Sequence, residues 1–350
     1  MKMKRVVAFG LALTMGISLI GCGGKKKAEE TSDKNGKDFS VAMITDTAGV
    51  NDQSFNQSAW EGLQEFGEDT GAKVNYLESK QSSDYVTNLE RLGDNNSDFI
   101  WAIGFDTADA LLEVAKENQE FKYAIIDNAY EETPSNVTGV IFKAQEPSFL
   151  VGYVAGKTTK TNKVGFVGGI ENAVIQQFMF GYQAGVAFAG KEMGKEIKID
   201  VQYAESFADA AKGKAIASKM YSEGCDIVYQ AAGGSGTGVI EAAKEAGKFA
   251  IGVDRDQAYL APKNVLTSAL KKVGTAIQNV SEKVMNGEEV GGKTLVFGLT
   301  EDCVGIPEKN PNMDSKVYED TMKIKDMIKS GVITPPGTET DYAQFLKSIK

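Results

Sequence analysis

The chain alternates short apolar runs with amphipathic segments of helical period, and this alternation predicts a parallel α/β fold. In the first part of the chain the strand candidates are 39–45, 73–77, 99–103, 123–126 and 138–142. Helical segments lie between them, around 59–66, 85–92 and 107–114. Strands that are apolar on both faces are typical of a doubly wound parallel sheet, which helices cover on each side.

A second series of the same kind follows directly. Its strand candidates are 163–167, 197–203, 226–229 and 249–253, and its helix candidates are 148–156, 178–188, 208–221 and 237–246. It looks like the first series repeated, so we expect two similar lobes. Two lobes in one chain form a cleft, and small-molecule sites favour such interfaces.

The chain continues after Lys263 with a short strand at 265–267, a helix at 275–285, a strand at 295–297 and a final helix around 318–328. We interpret this part as the chain crossing back to complete both sheets. Crossovers near 142–145, 260–263 and 299–305 would together form a hinge that permits a closing rotation. The predicted division gives 39–143 with 264–300 to lobe 1, and 144–263 with 301–350 to lobe 2.

The N-terminus has the pattern of a secretory signal. Lys2, Lys4 and Arg5 precede an apolar run that ends in Leu-Ile-Gly-Cys at Cys22, and the run is too short for a transmembrane helix. The last four residues resemble a bacterial lipobox, which implies cleavage after residue 21 and a lipid on Cys22. The alternative is a plain secretion signal with an incidental cysteine. A polar stretch, 22–38, would tether the body to the extracytoplasmic face of the cell membrane.

Composition excludes several classes of function. The net charge is −10, and removal of residues 1–21, which hold three basic and no acidic residues, would bring it to −13. A body this acidic lacks the basic surface that nucleic acid requires. The chain contains no histidine, which argues against hydrolase and zinc chemistry. Cys225 and Cys303 lie in apolar surroundings and are predicted to be buried and free.

The loop from Asp46 to Trp60 connects the first predicted strand with the first predicted helix. Ligands of open α/β sheets bind at the carboxyl ends of strands, where this loop must lie. Asp46, Thr47 and Asn56 can hydrogen-bond, and Phe55 offers an apolar face, which suits a small polar ligand that carries a ring. The alternative is structural: a turn at residues 51–52, a helix cap by Ser54, and Phe55 in the core.

Further candidates follow other predicted strands. Asp127 and Asp254 come directly after strands, where a carboxylate could accept hydrogen bonds from a diol or from a ring nitrogen. Phe207 is the second-lobe counterpart of Phe55, and two such rings could hold a planar base. Lys271 could donate to a ligand oxygen. The alternatives are a cap for Asp127, a surface ion pair with the neighbouring arginine for Asp254, core packing for Phe207 and a solvated position for Lys271.

Two glycine clusters resemble phosphate-binding loops. The cluster 233–238 lies between a strand and a helix, but Val239 stands where the motif requires lysine. The segment 152–158 has a lysine but one residue too few between its glycines, and it continues a helix. We therefore expect neither to bind phosphate, and we expect Gly233 to approach an uncharged ligand through its backbone or to form a tight turn.

Several motifs together resemble the basic membrane protein family of substrate-binding lipoproteins. They are the lipobox, D-T-A-G-V-N-D-Q-S-F-N-Q-S-A-W-E-G from Asp46, G-V-D-R-D-Q from Gly252 and T-S-A-L-K-K from Thr267. The similarity covers essentially the whole predicted mature body. It implies a type I periplasmic-binding-protein fold whose two lobes close on a nucleoside, which is then delivered to an ATP-driven importer without chemical change.

The resemblance also implies roles for individual residues. Asp46 would lie near the base, Phe55 and Phe207 would stack on it, and Asp127 would bind its edge. Gly233 would approach through its backbone, and Asp254 and Lys271 would bind ribose hydroxyls. Thr47 departs from the asparagine expected there, which leaves the base preference open. Phe178, Phe180 and Phe207 all stay open as the second stacking ring.

The resulting prediction is a lipid-anchored, monomeric receptor that is not an enzyme and has no cofactor or metal. Its expected ligands are nucleosides, purine nucleosides (inosine, guanosine and adenosine) first, and its expected partners are the permease and ATPase subunits of an ABC importer. The alternatives are a receptor for a sugar, an autoinducer or a peptide, a nucleoside hydrolase with paired carboxylates, and a surface adhesin or antigen.

Overall fold

The computed structural model describes residues 36–349. The predicted signal peptide, Cys22 and residues 22–35 of the predicted tether lie outside this range. The last three residues of that tether, Gly36–Asp38, form a 3₁₀ turn that leads into the first strand. Among residues 36–349, no helix combines the length and hydrophobicity needed to cross a membrane.

The first lobe is built on a six-stranded parallel sheet. Its strands are β1 (Ser40–Ile44), β2 (Lys73–Leu77), β3 (Phe99–Ile103), β4 (Lys122–Ile126), β5 (Val137–Phe142) and β11 (Lys293–Phe297), in the order β11-β5-β4-β3-β1-β2. Its helices are α1 (Phe55–Thr70), α2 (Asp84–Asp94), α3 (Ala108–Glu117) and α8 (Val273–Met285). Every strand pair of this sheet is parallel.

The second lobe repeats this plan. Its strands are β6 (Lys163–Gly168), β7 (Lys198–Tyr203), β8 (Ile227–Ala231), β9 (Phe249–Asp254), β10 (Val265–Lys271) and β12 (Val304–Gly305), in the order β12-β10-β9-β8-β6-β7. Its helices are α4 (Gln145–Thr158), α5 (Ala173–Met193), α6 (Ala210–Ser222), α7 (Ser235–Ala246), α9 (Ser315–Lys329) and α10 (Glu339–Ser348). Only the short β12 runs antiparallel to its neighbour β10.

Apolar side chains project from both faces of each sheet and pack against helices. In lobe 1, Trp101 packs in one core cluster with Leu63 of α1 and Ile277 of α8, while its neighbour Ile100 faces α2 and α3 on the other side. The Trp101 indole also donates a hydrogen bond of 3.0 Å to the buried hydroxyl of Ser281 on α8. Two buried faces per sheet define a doubly wound fold, so the predicted two-lobed α/β architecture is confirmed.

Three segments connect the lobes, at 143–144, at Lys272 and at 298–303. The second of these corrects the sequence interpretation, which had placed a crossover at 260–263 and started the return to lobe 1 at residue 264. The segment 265–271 is instead a seven-residue strand of lobe 2, paired with β9. Only its first residues were recognised, because Ser268 and Lys271 are polar but buried, which hides the strand from a hydrophobicity pattern.

The carboxyl-terminal helix α10 was not predicted from the sequence. It begins after Thr338, whose hydroxyl accepts a hydrogen bond from the backbone of Asp341. Tyr342 packs against Phe180 and Phe345 packs against Phe149, with ring centroids 5.8 and 5.6 Å apart. Two aromatic anchors in ten residues are too sparse to produce a clear apolar stripe.

Candidate functional site

The carboxyl ends of the strands of both lobes face one cleft. Asp46 follows β1, Gly104 and Phe105 follow β3, and Asp127 follows β4, all in lobe 1. From lobe 2 the cleft receives Phe178 of α5, Phe207, Gly233, Asp254 and Lys271. The space between the lining atoms is about 520 Å³, including the part open to solvent.

The loop before α1 is shaped by Asp52 rather than by Ser54. The Asp52 carboxylate accepts hydrogen bonds from the backbone N–H groups of Ser54, Asn56 and Gln57 at 2.8–3.0 Å, as a helix cap does. Ser54 is thereby free to donate to Asp254 across the cleft. The structural alternative for this loop predicted that Ser54 caps α1, and this prediction is wrong because Ser54 makes no side-chain cap hydrogen bond.

Asn56 positions Asp46 instead of lining the cleft. Its amide donates to a carboxylate oxygen of Asp46 at 2.8 Å and to Asp52 at 3.1 Å, and the side chain is buried. Thr47 is exposed and does not line the cleft, where its neighbour Ala48 does. Of the predicted ligand-binding residues, Asn56 therefore lies behind the lining of the cleft and Thr47 lies outside it.

Two carboxyl groups of the cleft have pKa values that are raised toward neutral pH. Burial raises the pKa of Asp46 to about 7, against the opposing effect of hydrogen bonds from Ala48 and Asn56. Burial likewise raises the pKa of Asp254 to about 6, opposed by the positive charge of Lys271 and the Ser54 hydrogen bond. Carboxyl groups with these values can accept or donate a hydrogen bond at physiological pH, which suits recognition of polar ring edges and hydroxyls.

Lys271 and Asp127 form an ion pair across the cleft. The Lys271 ammonium contacts the Asp127 carboxylate, and their side chains are only 2% and 8% exposed. The same nitrogen lies 4.7 Å from the ring centre of Phe55, 5.1 Å from Phe142 and 5.8 Å from Phe178. The contacts of this cation with one carboxylate and three rings offset the free-energy cost of removing it from water.

Aromatic rings line the cleft from both lobes. Phe55 and Phe105 come from lobe 1, and Phe178 and Phe207 come from lobe 2. Phe105 and Phe207 meet edge to face across the cleft, with ring centroids 6.3 Å apart. Phe180 does not line the cleft, since it packs against Tyr342, so it is removed from the candidates for a second stacking ring.

Three residues that line the cleft have left-handed backbone conformations. Asp127 and Asp254 have left-handed φ values of 68° and 63° at the ends of their strands, which non-glycine residues rarely adopt. Gly233 has φ 54°, and a Cβ added to it would lie 3.3 Å from the Phe207 carbonyl oxygen. Strained backbone that the fold maintains is typical of ligand-binding positions.

The other predicted clusters have structural roles. Residues 152–158 continue α4, where a Cβ on Gly152 would lie 2.2 Å from the Tyr182 carbonyl of α5; close helix packing explains this glycine. Cys225 and Cys303 are buried free thiols, as predicted. Within residues 36–349, no group of three or more His, Cys, Asp or Glu side chains is arranged to hold a metal ion.

Sequence reasoning missed several residues of the site. Phe105 follows Gly104 just beyond the end of β3, so the rule that found Asp46 could have found it too. Val174 and Ile175 supply apolar lining from the start of α5, for which no local signal exists. Gln53, Glu61 and Tyr259 lie where the lobes touch, and their contacts become visible only in the folded chain.

Comparison with known proteins gives a consistent family match. A family model described as Bmp, ABC transporter substrate-binding protein PnrA-like, matches residues 39–339. The chain is 42% identical to a "CD4+ T-cell-stimulating antigen" of Listeria innocua, over 94% of this chain and 98% of the relative. It is 40% identical to the "ABC transporter nucleoside-binding protein BmpA" of Lactococcus lactis, over 95% and 99% of the two chains.

Solved structures show the same fold. A solute-binding protein of an ABC transporter system from Aeropyrum pernix superposes with a TM-score of 0.80 at 26% identity, covering 89% of this chain and 97% of that one. A solute-binding protein from Conexibacter woesei superposes with a TM-score of 0.69 at 21% identity, covering 85% and 99%. The second match carries information on the fold alone.

Proposed function

The chain belongs to the Bmp family of PnrA-like ABC transporter substrate-binding proteins, and from this premise we propose that it binds nucleosides in the interlobe cleft. The family consists of substrate-binding components, not enzymes, and a component of this kind implies a small-molecule ligand and partner permease and ATPase subunits. The proposal concerns the ligand: a nucleoside, with purine nucleosides first.

The observation that carries the proposal is the combination of rings and carboxyl groups around one cleft. Phe55 and Phe207 come from opposite lobes, and both line it. A flat base inserted between such rings gains stacking of about 1–3 kcal/mol. Asp46 lies on the lobe 1 side and Asp254 on the lobe 2 side, so a ligand with a polar ring at one end and hydroxyls at the other can use both. The name of the Lactococcus lactis relative points to the same ligand class.

The ion pair of Lys271 with Asp127 and the contact of Ser54 with Asp254 suggest how a ribose would bind. Both contacts join polar groups of opposite lobes inside the lining. A pair of vicinal hydroxyls can donate to the carboxylates and accept from the ammonium, and so replace these contacts without leaving a buried charge unpaired. A free base lacks these hydroxyls, and a free sugar lacks the ring that stacks.

The test is isothermal titration calorimetry with inosine, guanosine, adenosine, cytidine, hypoxanthine and arabinose. The proposal expects the nucleosides to bind more tightly than the free base and the free sugar, since only they engage both ends of the cleft. Tighter binding of arabinose than of every nucleoside would contradict it. The order among inosine, guanosine, adenosine and cytidine then defines the base preference.

We further propose that the mature protein is anchored to the extracytoplasmic face of the cell membrane by lipid on Cys22. The support is the Leu-Ile-Gly-Cys sequence after a basic and apolar segment, and Cys22 lies outside the described residues. Mass spectrometry of the N-terminal peptide from membranes should find a diacylated Cys22. An intact residue 1–21 segment, or an unmodified Cys22 on secreted protein, would contradict the anchor.

A further inference from the structure

A second set of contacts joins the two lobes beside the cleft. Arg255, directly after β9 in lobe 2, forms a paired contact with Glu61 of α1 in lobe 1: its two terminal nitrogens lie 3.1 and 3.0 Å from the two carboxylate oxygens. The Glu61 carboxylate is also held by the side-chain amide of Gln57 at 2.8 Å. A guanidinium and a carboxylate in this planar arrangement form the more directional kind of ion pair.

Gln53 supplies the remaining contacts from lobe 1. Its side-chain oxygen accepts a hydrogen bond of 2.7 Å from the Tyr259 hydroxyl, and its backbone carbonyl accepts one of 2.9 Å from the Gln257 amide. Gln257 is buried and fixed within lobe 2, because its side-chain oxygen accepts from Gln230 and from the backbone of Val253. Gln53 has a left-handed φ of 58°, so its backbone conformation in this contact carries some conformational cost.

These five residues, which we call the rim contact, do not line the ligand cleft. The rim contact consists of Gln53 and Glu61 of lobe 1 and of Arg255, Gln257 and Tyr259 of lobe 2; none of them is among the residues that surround the cleft space. The Arg255 guanidinium also lies 5.7 Å from the Tyr259 ring centre. This contact connects the Arg255–Glu61 ion pair with the hydrogen bonds of Gln53. All of its contacts are between protein groups, so their strength is the same whichever ligand is bound.

We propose that the rim contact sets the residence time of every ligand by a common factor, because the lobes must break it in order to open. A ligand of a two-lobed protein leaves through an opening motion, and contacts present only in the closed form slow that motion. The rim residues are positioning residues: they act on the ligand through lobe closure and leave discrimination between ligands to the cleft. This inference holds for any ligand that the cleft binds and so goes beyond the proposed nucleoside specificity.

The exposure of the rim gives it a distinctive salt dependence. Arg255 and Glu61 side chains are 25% and 42% exposed, so dissolved ions screen their attraction. In contrast, the Lys271 and Asp127 pair within the cleft is almost fully buried and is screened much less. Dissociation of an uncharged ligand should therefore accelerate with salt, and this acceleration should depend on the rim ion pair.

The experiment measures dissociation rates of inosine and adenosine by stopped-flow fluorescence for the full mature chain and its variants. Glu61→Gln should raise both rates about two- to fivefold, the range expected for a partly exposed ion pair, and Glu61→Gln with Tyr259→Phe should raise them further. The ratio of the two rates should stay the same, and the salt dependence should become flatter. The matched control is Glu245→Gln, which removes a partner of Lys214 within lobe 2 and should leave the rates unchanged.

Exchange of the charges, Glu61→Arg with Arg255→Glu, should return the rates toward those of the unchanged protein, which a merely local structural effect would not do. Unchanged rates in the Glu61→Gln, Tyr259→Phe variant, or a change confined to one ligand, would overturn the proposal. If neither nucleoside binds, the proposed function fails by itself. Small-angle X-ray scattering then tests the rim contact: the Glu61→Gln, Tyr259→Phe variant should have a larger radius of gyration than the unchanged protein, and equal radii would overturn the proposal.

Discussion

Replacement of Asp46 by Asn should make the stability of the protein less sensitive to pH. Asp46 is only 8% exposed, and burial raises the pKa of its carboxyl group from 3.8 to about 7. A carboxyl group whose pKa is higher in the folded than in the unfolded chain contributes stability that is fully present below pH 3.8. That contribution is lost as the pH rises through about 7, because the folded chain must then bury a charge.

The size of the effect follows from the shift. A difference of about 3 pKa units corresponds to about 4 kcal/mol over the whole range, at about 1.4 kcal/mol per unit. About 2–3 kcal/mol of this falls between pH 5 and pH 8, since part of the loss has already occurred by pH 5. The unchanged protein should therefore lose about 2–3 kcal/mol more than Asp46→Asn over that interval.

Urea unfolding at pH 5, 6, 7 and 8, followed by tryptophan fluorescence, measures this difference. The control is Asp94→Asn, which changes an exposed carboxylate at the end of α2 and should leave the pH profile as it is. Parallel profiles for the unchanged protein and Asp46→Asn would refute the reasoning, since they would mean that Asp46 is not buried as a shifted acid.

Substitutions at three further positions test the cleft. Phe55→Ala should weaken inosine binding about 5- to 150-fold in calorimetry, the loss of one stacking ring worth ~1–3 kcal/mol. Phe55→Leu should weaken it less, and equal affinity of all three proteins would contradict stacking. Asp254→Ala should weaken inosine binding more than hypoxanthine binding in the same assay, and an equal loss for both would remove Asp254 from the ribose site. Lys271→Met should lower the free energy of unfolding at pH 7 by about 3–5 kcal/mol, because the Asp127 carboxylate would stay buried without its partner; a change below 1 kcal/mol in urea unfolding would contradict the buried pair.

The fold was accessible from the sequence because its signal is local and repeated. β3 is a run of five buried residues, Phe99–Ile103, and its bounds coincide with the predicted strand. Apolar strands that alternate with amphipathic helices leave few other architectures. β10 shows the limit of this reasoning. Its buried Ser268 accepts a hydrogen bond from the backbone of Gln257, and its buried Lys271 lines the cleft. Polar residues at such positions disturb the apolar pattern that identifies a strand.

The candidate site was accessible in part, because strand ends of a parallel sheet lie at one edge. That rule correctly predicted that Asp46, Asp127 and Asp254 lie at the cleft. The rule could not predict that Asp46 is buried while Thr47 is exposed, because the local backbone conformation of the loop determines which of two adjacent side chains faces the cleft. The rim contact was inaccessible for a different reason: Gln53 and Tyr259 are far apart in sequence, and their hydrogen bond depends on how the lobes meet.

The most direct test of the central claim is a crystal structure of the protein with inosine. The account predicts that the hypoxanthine ring lies between Phe55 and Phe207, with Asp46 at its polar edge and the ribose hydroxyls on Asp254 and Lys271. A ligand bound outside the cleft, or a base that contacts neither ring, would contradict it.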